Sequence, residues 1–151
     1  PTLRLQDRIL IEKLSPRFSH LQNKHLKHDT VIVFNPPKAL VEAGYAKNQA
    51  LIKRVVGLPG DKIEIINGNI YRNDLLIKES WRSLPIKYEM QPVIIPLNEL
   101  WVLGDNRNNS LDSHIWGPLP EKNVIGTAIW RYWPVKDFGP IRVPPTKKIG
   151  K

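Results

Sequence analysis

The chain has 151 residues, enough for one domain with an ordinary hydrophobic core. Its net charge of +9 suggests an anionic partner, either nucleic acid or anionic lipid, although a well-solvated basic surface is an equal alternative. The absence of cysteine excludes a thiol nucleophile, a disulfide framework and a thiolate metal site, and no apolar run approaches the roughly 20 residues that span a bilayer.

The first predicted elements are two short strands separated by a basic loop. RILIEKL (8–14) and VIVF (31–34) have strand composition, and the polar stretch 15–30 between them reads as a surface loop. That loop contains three histidines, His20, His25 and His28. Their spacing matches no usual zinc set, so the sequence predicts neither a metal site nor a cofactor. Residues 38–49 predict a loop or a short helical turn.

LIKRVV, residues 51–56, predicts an apolar strand with a lysine in its middle. Because alternate side chains of a strand share a face, Lys53 lies with Leu51 and Val55, and Arg54 lies on the opposite face. Apolar neighbours would desolvate the Lys53 ammonium and lower its pKa toward values useful to a general base. The alternative is an ordinary solvated strand lysine.

A hairpin and a less regular region follow this strand. Turn-forming residues at 57–61 precede KIEIING and NIYRN, two alternating runs that meet at Asn67-Gly68, the strongest short hairpin signal. Residues 74–98 contain three prolines and predict short strands that form a cap or insertion over the core of a single domain, 1–151.

The last third alternates strands and loops. WVLGDN (101–106) predicts a strand that runs into a turn, 107–123 a long polar loop, and 124–135 a final strand with a bulge at Gly126. Many short strands with frequent turns indicate a mainly β fold of antiparallel sheets, open or barrel-like, with little helix.

Three segments together resemble the type I signal peptidases, membrane-anchored serine–lysine proteases that remove signal peptides. They are PTL at 1–3, LIKRVVGLPGD at 51–61 and LGDNRNNSLDSHIWGPLP at 103–120. The resemblance extends from Pro1 to about Pro134, and the DSHIWGPLP form is similar to the cyanobacterial and plastid branch. It implies the β fold of that family and serine endopeptidase activity on exported preproteins after Ala-x-Ala sites.

The resemblance also implies roles for individual residues. Lys53 matches the family's general base, and Ser110 matches the serine that orients the lysine amine by hydrogen bonding. Asp105 is expected to pair with a nearby arginine, for which Arg54 is the candidate, and Asp112 is expected to brace the loop that holds Ser110.

Two positions depart from the family pattern. His114 stands where many members have arginine, which would weaken the brace on Asp112 or make it pH-dependent. His28-Asp29 stands where the family usually has Gly-Asp, a change that leaves the strand 31–34 intact.

The family's nucleophile lies in a Ser-Met-x-Pro-Thr-Leu segment, which places it upstream of Pro1. The resemblance therefore implies that the chain as given is an inactive fragment, without the nucleophilic serine, its oxyanion-hole N–H and a membrane anchor. The serines without motif support, which do not replace the nucleophile, are Ser15, Ser19, Ser80, Ser83 and Ser113.

The resemblance implies signal peptides as partners, bound as an added strand. Leu3, Leu51 and Ile52 are candidates for the wall of the small-residue pocket, with plain core as their alternative role. The catalytic domain is expected on the extracytoplasmic side of the membrane, in a periplasm or thylakoid lumen. Aromatic residues that could touch lipid headgroups, or else belong to the core, are Trp130, Tyr132 and Trp133.

Two other classes of function stay open at this point. A basic β-domain could bind single-stranded nucleic acid, although no aromatic-rich binding segment is apparent and no nucleic acid partner is expected. A steep salt dependence of oligonucleotide affinity would favour this class. The second class is a non-catalytic peptide-binding relative, against which the retention of Lys53 and Ser110 argues.

Overall fold

The computed structural model describes residues 8–13, 26–82, 84–141 and 146–149, which form two antiparallel β-sheets. The strands are β1 (Arg8–Lys13), β2 (Val31–Phe34), β3 (Leu51–Gly57), β4 (Lys62–Ile66), β5 (Asn69–Arg72), β6 (Leu75–Lys78), β7 (Met90–Ile94), β8 (Glu99–Leu103), β9 (Leu119–Pro120), β10 (Val124–Trp133), β11 (Gly139–Pro140) and β12 (Lys147–Ile149). The helices in these ranges are short: α1 (Lys38–Glu42), α2 (Ser113–Trp116) and single 3-10 turns at Arg107–Asn109, Glu121–Asn123 and Val135–Asp137.

The first sheet has the strand order β1-β10-β2-β3-β8-β9, and β11 pairs with β10. Strands β1 and β9 lie at opposite ends of this order, so the sheet is open and is not closed into a barrel within the described residues. The prediction of a mainly β, antiparallel fold with little helix is confirmed.

The second sheet has the order β12-β6-β5-β4-β7. Its central hairpin turns at Asn67 (φ 49°) and Gly68 (φ 75°), as the sequence predicted, because such two-residue turns need positive φ at both positions. The segment 74–98 supplies β6 and β7, which lie on either side of this hairpin. Its separation as a cap or insertion within one catalytic domain stays a prediction.

Strands β3 and β8 separate two apolar cores, since their successive side chains point to opposite faces. Val56 and Leu103 join the inter-sheet core, which connects the two sheets: Val56, Ile63, Ile65, Ile70, Ile77, Ile86, Ile95, Trp101 and Leu103. Val55 and Val102 join the core on the other face, here called the lysine-side core: Ile32, Phe34, Val55, Leu100, Val102 and Leu119.

The segment 107–123 differs from the predicted long loop. It contains α2 and β9 between two 3-10 turns. Asp112 begins α2 by accepting a hydrogen bond from the backbone N–H of His114, which is a side-chain cap. In β10, the pairing with β2 shifts register between Val124 and Gly126, in agreement with the predicted bulge.

Several positions discussed above lie outside the described residues: Leu3, Ser15, Ser19, His20, His25 and Ser83.

Candidate active site

Lys53 lies on the face of β3 that covers the lysine-side core. Its opposite residue on β2 is Ile32, and its strand neighbours Leu51 and Val55 pack in the same core. Burial among these side chains lowers the pKa of the Lys53 ammonium from its usual 10.5, while the negative charge of Asp112 opposes the shift. The desolvation predicted from the sequence is therefore present.

No carboxylate among the described residues forms an ion pair with Lys53, although two act on it from a distance. The carboxylate of Asp112 raises the pKa of Lys53 more than that of Asp105 does, and burial lowers this pKa by more than the two carboxylates raise it. A half-buried lysine with a lowered pKa is uncharged in a larger fraction of molecules at a given pH than a solvated lysine. This is the electrostatic condition for a lysine to accept a proton.

Ser110 packs directly on Gly104, which follows strand β8. The register that pairs Arg54 with Leu103 would, one residue further, bring Gly104 opposite Lys53. A side chain at Gly104 would collide with Ser110, whose Cβ lies 2.7 Å from the place that a Cβ of residue 104 would occupy. Glycine is thus required here for space, and Ser110 fills that space beside Lys53.

The hydrogen bond predicted between Ser110 and Lys53 is not formed. The Ser110 hydroxyl is buried and has no hydrogen-bond partner among the residues that the structure describes. The close approach of Ser110 to Gly104 places the hydroxyl beside the end of strand β8. An unpaired buried hydroxyl is costly, which makes Ser110 a candidate functional group.

Asp112 is fully buried and binds the chain on both sides of Ser110. Its Oδ2 accepts the backbone N–H of Gly104 at 2.8 Å, and its Oδ1 lies 2.6 Å from Nδ1 of His114. The His114 ring stacks on Tyr88, with ring centroids 4.1 Å apart and planes inclined by 12°. Asp112 therefore braces the loop that carries Ser110, through contacts that include a titratable imidazole.

Arg54 and Asp105 form the ion pair that the sequence suggested. The guanidinium donates two hydrogen bonds of 2.7 Å to the carboxylate and a third, of 2.8 Å, to the carbonyl of Asp29. Arg54 is 1% exposed, and its guanidinium carbon lies 4.3 Å from the centre of the Trp81 ring. The pair fixes the start of the Ser110 loop against the strand of Lys53.

The loop after β3 is held by Asp61. Its Oδ2 accepts the backbone N–H of Leu58 and lies 2.7 Å from Nε2 of His28, while its Oδ1 accepts a bond from Asn73. Burial alone would raise the pKa of the Asp61 carboxyl, but these hydrogen bonds lower it. His28 thus anchors the segment before β2 to the turn after β3.

A family model described as "Signal peptidase, peptidase S26" matches residues 1–133. The chain belongs to this signal peptidase family.

Two relatives illustrate its place in the family. This chain is 41% identical over 146 residues to Signal peptidase I of Leptolyngbya laminosa, in an alignment that covers 97% of this chain and 70% of that protein. It is 43% identical over 134 residues to the probable thylakoidal processing peptidase 2, chloroplastic, of Arabidopsis thaliana, which covers 89% of this chain and 35% of that protein. The predicted likeness to the cyanobacterial and plastid branch is confirmed.

A solved structure supports the fold. The crystal structure of a signal peptidase I from Enterococcus faecalis aligns with a TM-score of 0.57 at 24% identity, and the alignment covers 70% of this chain and 98% of that chain. The comparisons together make this chain a protease of the signal peptidase I type, with signal peptides of preproteins as the family's substrates.

Sequence reasoning missed two residues that support the site of this signal peptidase. Glu79 accepts two hydrogen bonds of 2.7 Å from Arg107, and both side chains are almost fully buried. Arg107 also donates from Nε to the carbonyl of Gly104 at 2.9 Å. The only sequence signal was the position of Arg107 inside the 103–120 motif, since nothing local marks Glu79 as its partner.

The two predicted pocket residues that the structure describes, Leu51 and Ile52, do not share a face of β3. Leu51 packs against the lysine-side core, whereas Ile52 is on the other face of β3 and is 42% exposed. No cluster of three or more metal-ligating side chains occurs within the described ranges. No helix in those ranges has the length and apolar character to cross a membrane.

The predicted membrane aromatics of this signal peptidase lie at the end of β10. Trp133 is 50% exposed and Tyr132 is also exposed, while the half-buried Trp130 meets Phe138 edge to face with centroids 5.6 Å apart. Phe138 and Val135, which the sequence did not single out, extend the exposed apolar surface.

Proposed function

We propose that this chain is the catalytic domain of a type I signal peptidase that cleaves exported preproteins after Ala-x-Ala sites with a serine–lysine dyad. The observation that carries the proposal is the lowered pKa of Lys53, which lies on an apolar face without an ion-pair partner among the described residues. A neutral lysine can accept the proton of a serine hydroxyl, which is otherwise a poor nucleophile.

The reaction then follows the usual course of acyl transfer. Lys53 takes the proton as the serine oxygen attacks the scissile carbonyl, and a tetrahedral oxyanion forms. The protonated Lys53 returns the proton to the departing amine, which leaves an acyl-enzyme. Lys53 next accepts a proton from water, whose oxygen attacks the ester. As the ester bond breaks and the signal peptide is released, Lys53 returns that proton to the serine oxygen. The nucleophile is the serine of the family's Ser-Met-x segment, for which the 151 residues offer no replacement.

Ser110 is proposed to orient the Lys53 amine. Its buried hydroxyl retains its donor and acceptor capacity, and its place against Gly104 puts it on the side of the sheet where Lys53 lies. A catalytic hydrogen bond that is open in a free enzyme can close when substrate is bound. Asp112 and the pair Arg54–Asp105 hold the loop that carries Ser110.

The substrate is proposed to bind as an added strand, with main-chain hydrogen bonds for affinity and shallow pockets that admit only small side chains. Leu51, beside Lys53, is proposed to line the pocket nearest to the chemistry. Pocket roles for Leu3 and for Ile52, which lies on the opposite face of β3 from Leu51, are proposed on the family resemblance alone. The domain is proposed to act on the extracytoplasmic side of a membrane, held there by an anchor.

The decisive experiment joins an anchor and a Ser-Met-x segment to Pro1 and measures cleavage of a peptide with an Ala-x-Ala site. Lys53→Ala is expected to lower kcat/KM by about a thousandfold or more, because the base is lost. The control is Lys78→Ala, which removes an exposed lysine of β6. Normal cleavage by Lys53→Ala would exclude the dyad, and the 151 residues alone are expected to be inactive.

The basic charge and the exposed aromatics at the end of β10 support a second part of the proposal, contact with anionic lipid. The chain is expected to bind vesicles with anionic headgroups more strongly than vesicles with zwitterionic headgroups. Trp133→Ser is expected to weaken binding to both kinds of vesicle. A single-stranded oligonucleotide is expected to show no steep salt-dependent binding. Equal binding to both kinds of vesicle would refute the charge component.

A further inference from the structure

The segment 79–82, which follows β6, contacts two arginines next to the proposed site. The Glu79 carboxylate pairs in a fork with the Arg107 guanidinium, through two bonds of 2.7 Å. The Trp81 ring lies under the guanidinium of Arg54, 4.3 Å away. Neither Glu79 nor Trp81 belongs to the motifs that define the family resemblance.

Both arginines act on the same short stretch of chain, Gly104-Asp105. Arg107 donates from Nε to the Gly104 carbonyl at 2.9 Å. Arg54 holds the Asp105 carboxylate through two bonds of 2.7 Å. Because Ser110 packs on Gly104, the place of this stretch determines how far Ser110 lies from Lys53.

Stability alone does not account for the buried Glu79–Arg107 pair. Both side chains are almost removed from water, with 1% and 2% of their surface exposed. In many proteins, the free energy lost when two charges are desolvated is as large as the free energy gained from their attraction. Apolar replacements of similar size are therefore often neutral or stabilising. What the ion pair provides, and apolar side chains could not, is a directed bond to the Gly104 carbonyl.

We propose that Glu79 and Trp81 are positioning residues, which hold Arg107 and Arg54 so that Gly104-Asp105 keeps Ser110 against Lys53. This inference rests on the proposed function of Lys53 and Ser110. Glu79 acts through Arg107, and Trp81 acts through Arg54. Neither side chain touches the reacting atoms in this scheme.

The test replaces the ion pair by apolar side chains, in the double variant Glu79→Leu with Arg107→Met. This variant is expected to keep its thermal unfolding midpoint, since no buried charge is left unpaired. Arg82, which also approaches Glu79, keeps its bonds to the carbonyls of Gly68 and Leu84. Arg82→Met is the matched control, because it removes a contact of Glu79 that does not reach Gly104.

Two readouts separate positioning from mere stability. In the anchored protein with its Ser-Met-x segment, the double variant is expected to lower kcat about tenfold to a hundredfold with KM changed less than about twofold. In the 151-residue chain, NMR titration is expected to show that the pKa of Lys53 moves back toward 10.5, because a displaced loop admits water. Trp81→Leu is expected to lower kcat and to move the pKa of Lys53 in the same direction. The control Arg82→Met is expected to change neither quantity.

A folded double variant with wild-type kcat and an unchanged Lys53 titration would overturn the inference. If the double variant does not fold, Arg107→Lys decides by the same readouts, because it keeps a cation for Glu79 and lacks the Nε–H that reaches Gly104. Cleavage by Lys53→Ala would contradict the proposed function instead. In that case the NMR titration still tells whether Glu79 and Trp81 position the loop.

Discussion

Nδ1 of His114 lies 2.6 Å from Oδ1 of Asp112. The carboxylate of Asp112 raises the pKa of Lys53 more than the carboxylate of Asp105 does. Burial lowers that pKa by more than the carboxylates raise it. The charge on the imidazole therefore bears on the proposed base, because an imidazolium would offset the negative charge of Asp112.

This contact predicts how two substitutions at His114 change the pH dependence of cleavage. His114→Arg supplies a permanent cation beside Asp112, so the pKa of Lys53 should fall and the rise of kcat/KM with pH should move to lower pH. His114→Gln supplies no cation and is the uncharged control, in which no shift of that rise to lower pH is expected. Profiles of kcat/KM against pH test both, and a shift to higher pH in His114→Arg would contradict the electrostatic argument.

The desolvation of Lys53 predicts a gain in stability when the amine is removed. The folded protein holds Lys53 at a pKa below 10.5 and the unfolded chain near 10.5, so between these two values the unfolded state binds more protons. The free energy of unfolding contributed by this group therefore rises with pH across that window, and its penalty is fully present below it. Lys53→Met should abolish cleavage and yet raise stability at neutral pH.

Denaturant unfolding of the 151-residue chain at pH 7 and above pH 10.5 measures this effect. The advantage of Lys53→Met over the wild type should shrink at the higher pH. Lys78→Met is the matched control, because it removes a lysine whose side chain is exposed on β6. A variant less stable than the wild type at pH 7 would mean that Lys53 is not held at an electrostatic cost.

Local signals were enough to predict much of the fold, and the family resemblance marked Lys53 as the proposed base. The alternation of side chains along β3 placed Lys53 on the face of Leu51 and Val55. Asn67-Gly68 specified the hairpin of β4 and β5. Both signals could be read because they depend only on neighbours in sequence. The hairpin turn at Asn73 (φ 53°) and Asp74 (φ 65°) was missed, since it has positive φ without a glycine.

The contacts of Glu79 with Arg107 and of Ser110 with Gly104 could not be predicted, because they depend on how separate segments of the chain pack. The partner of Arg107 is 28 residues away, in a region that reads as an irregular cap. The requirement for glycine at position 104 depends on the later packing of Ser110, not on backbone conformation, so a GDN sequence reads only as a turn. The missing hydrogen bond between Ser110 and Lys53 is likewise a matter of three-dimensional geometry, which no motif specifies.

The packing of Ser110 on Gly104 predicts that Gly104→Ala disturbs the site without straining the backbone. The added methyl would fall 2.7 Å from the Ser110 Cβ, and Gly104 does not have the positive φ that favours glycine. Overpacking of this kind costs about 1–3 kcal/mol in stability, and displacement of Ser110 should also reduce kcat. Combining Gly104→Ala with Ser110→Gly should restore the stability measured by denaturant unfolding and leave kcat low. Persistent instability of that pair would place the collision elsewhere.

The two neighbouring serines of the loop should respond in opposite ways to the same substitution. Ser113 accepts the backbone N–H of Val102 at 3.0 Å in a buried position, so Ser113→Ala should cost about 1–2 kcal/mol of unfolding free energy, with kcat close to that of the wild type. The Ser110 hydroxyl has no hydrogen-bond partner among the described residues, so Ser110→Ala should be neutral or slightly stabilising. Its kcat should nevertheless fall by about a hundredfold, because the Lys53 amine would lose its orienting partner. Denaturant unfolding of the 151-residue chain and kinetics of the anchored protein separate the two effects, and a destabilised Ser110→Ala with normal kcat would assign Ser110 to the fold alone.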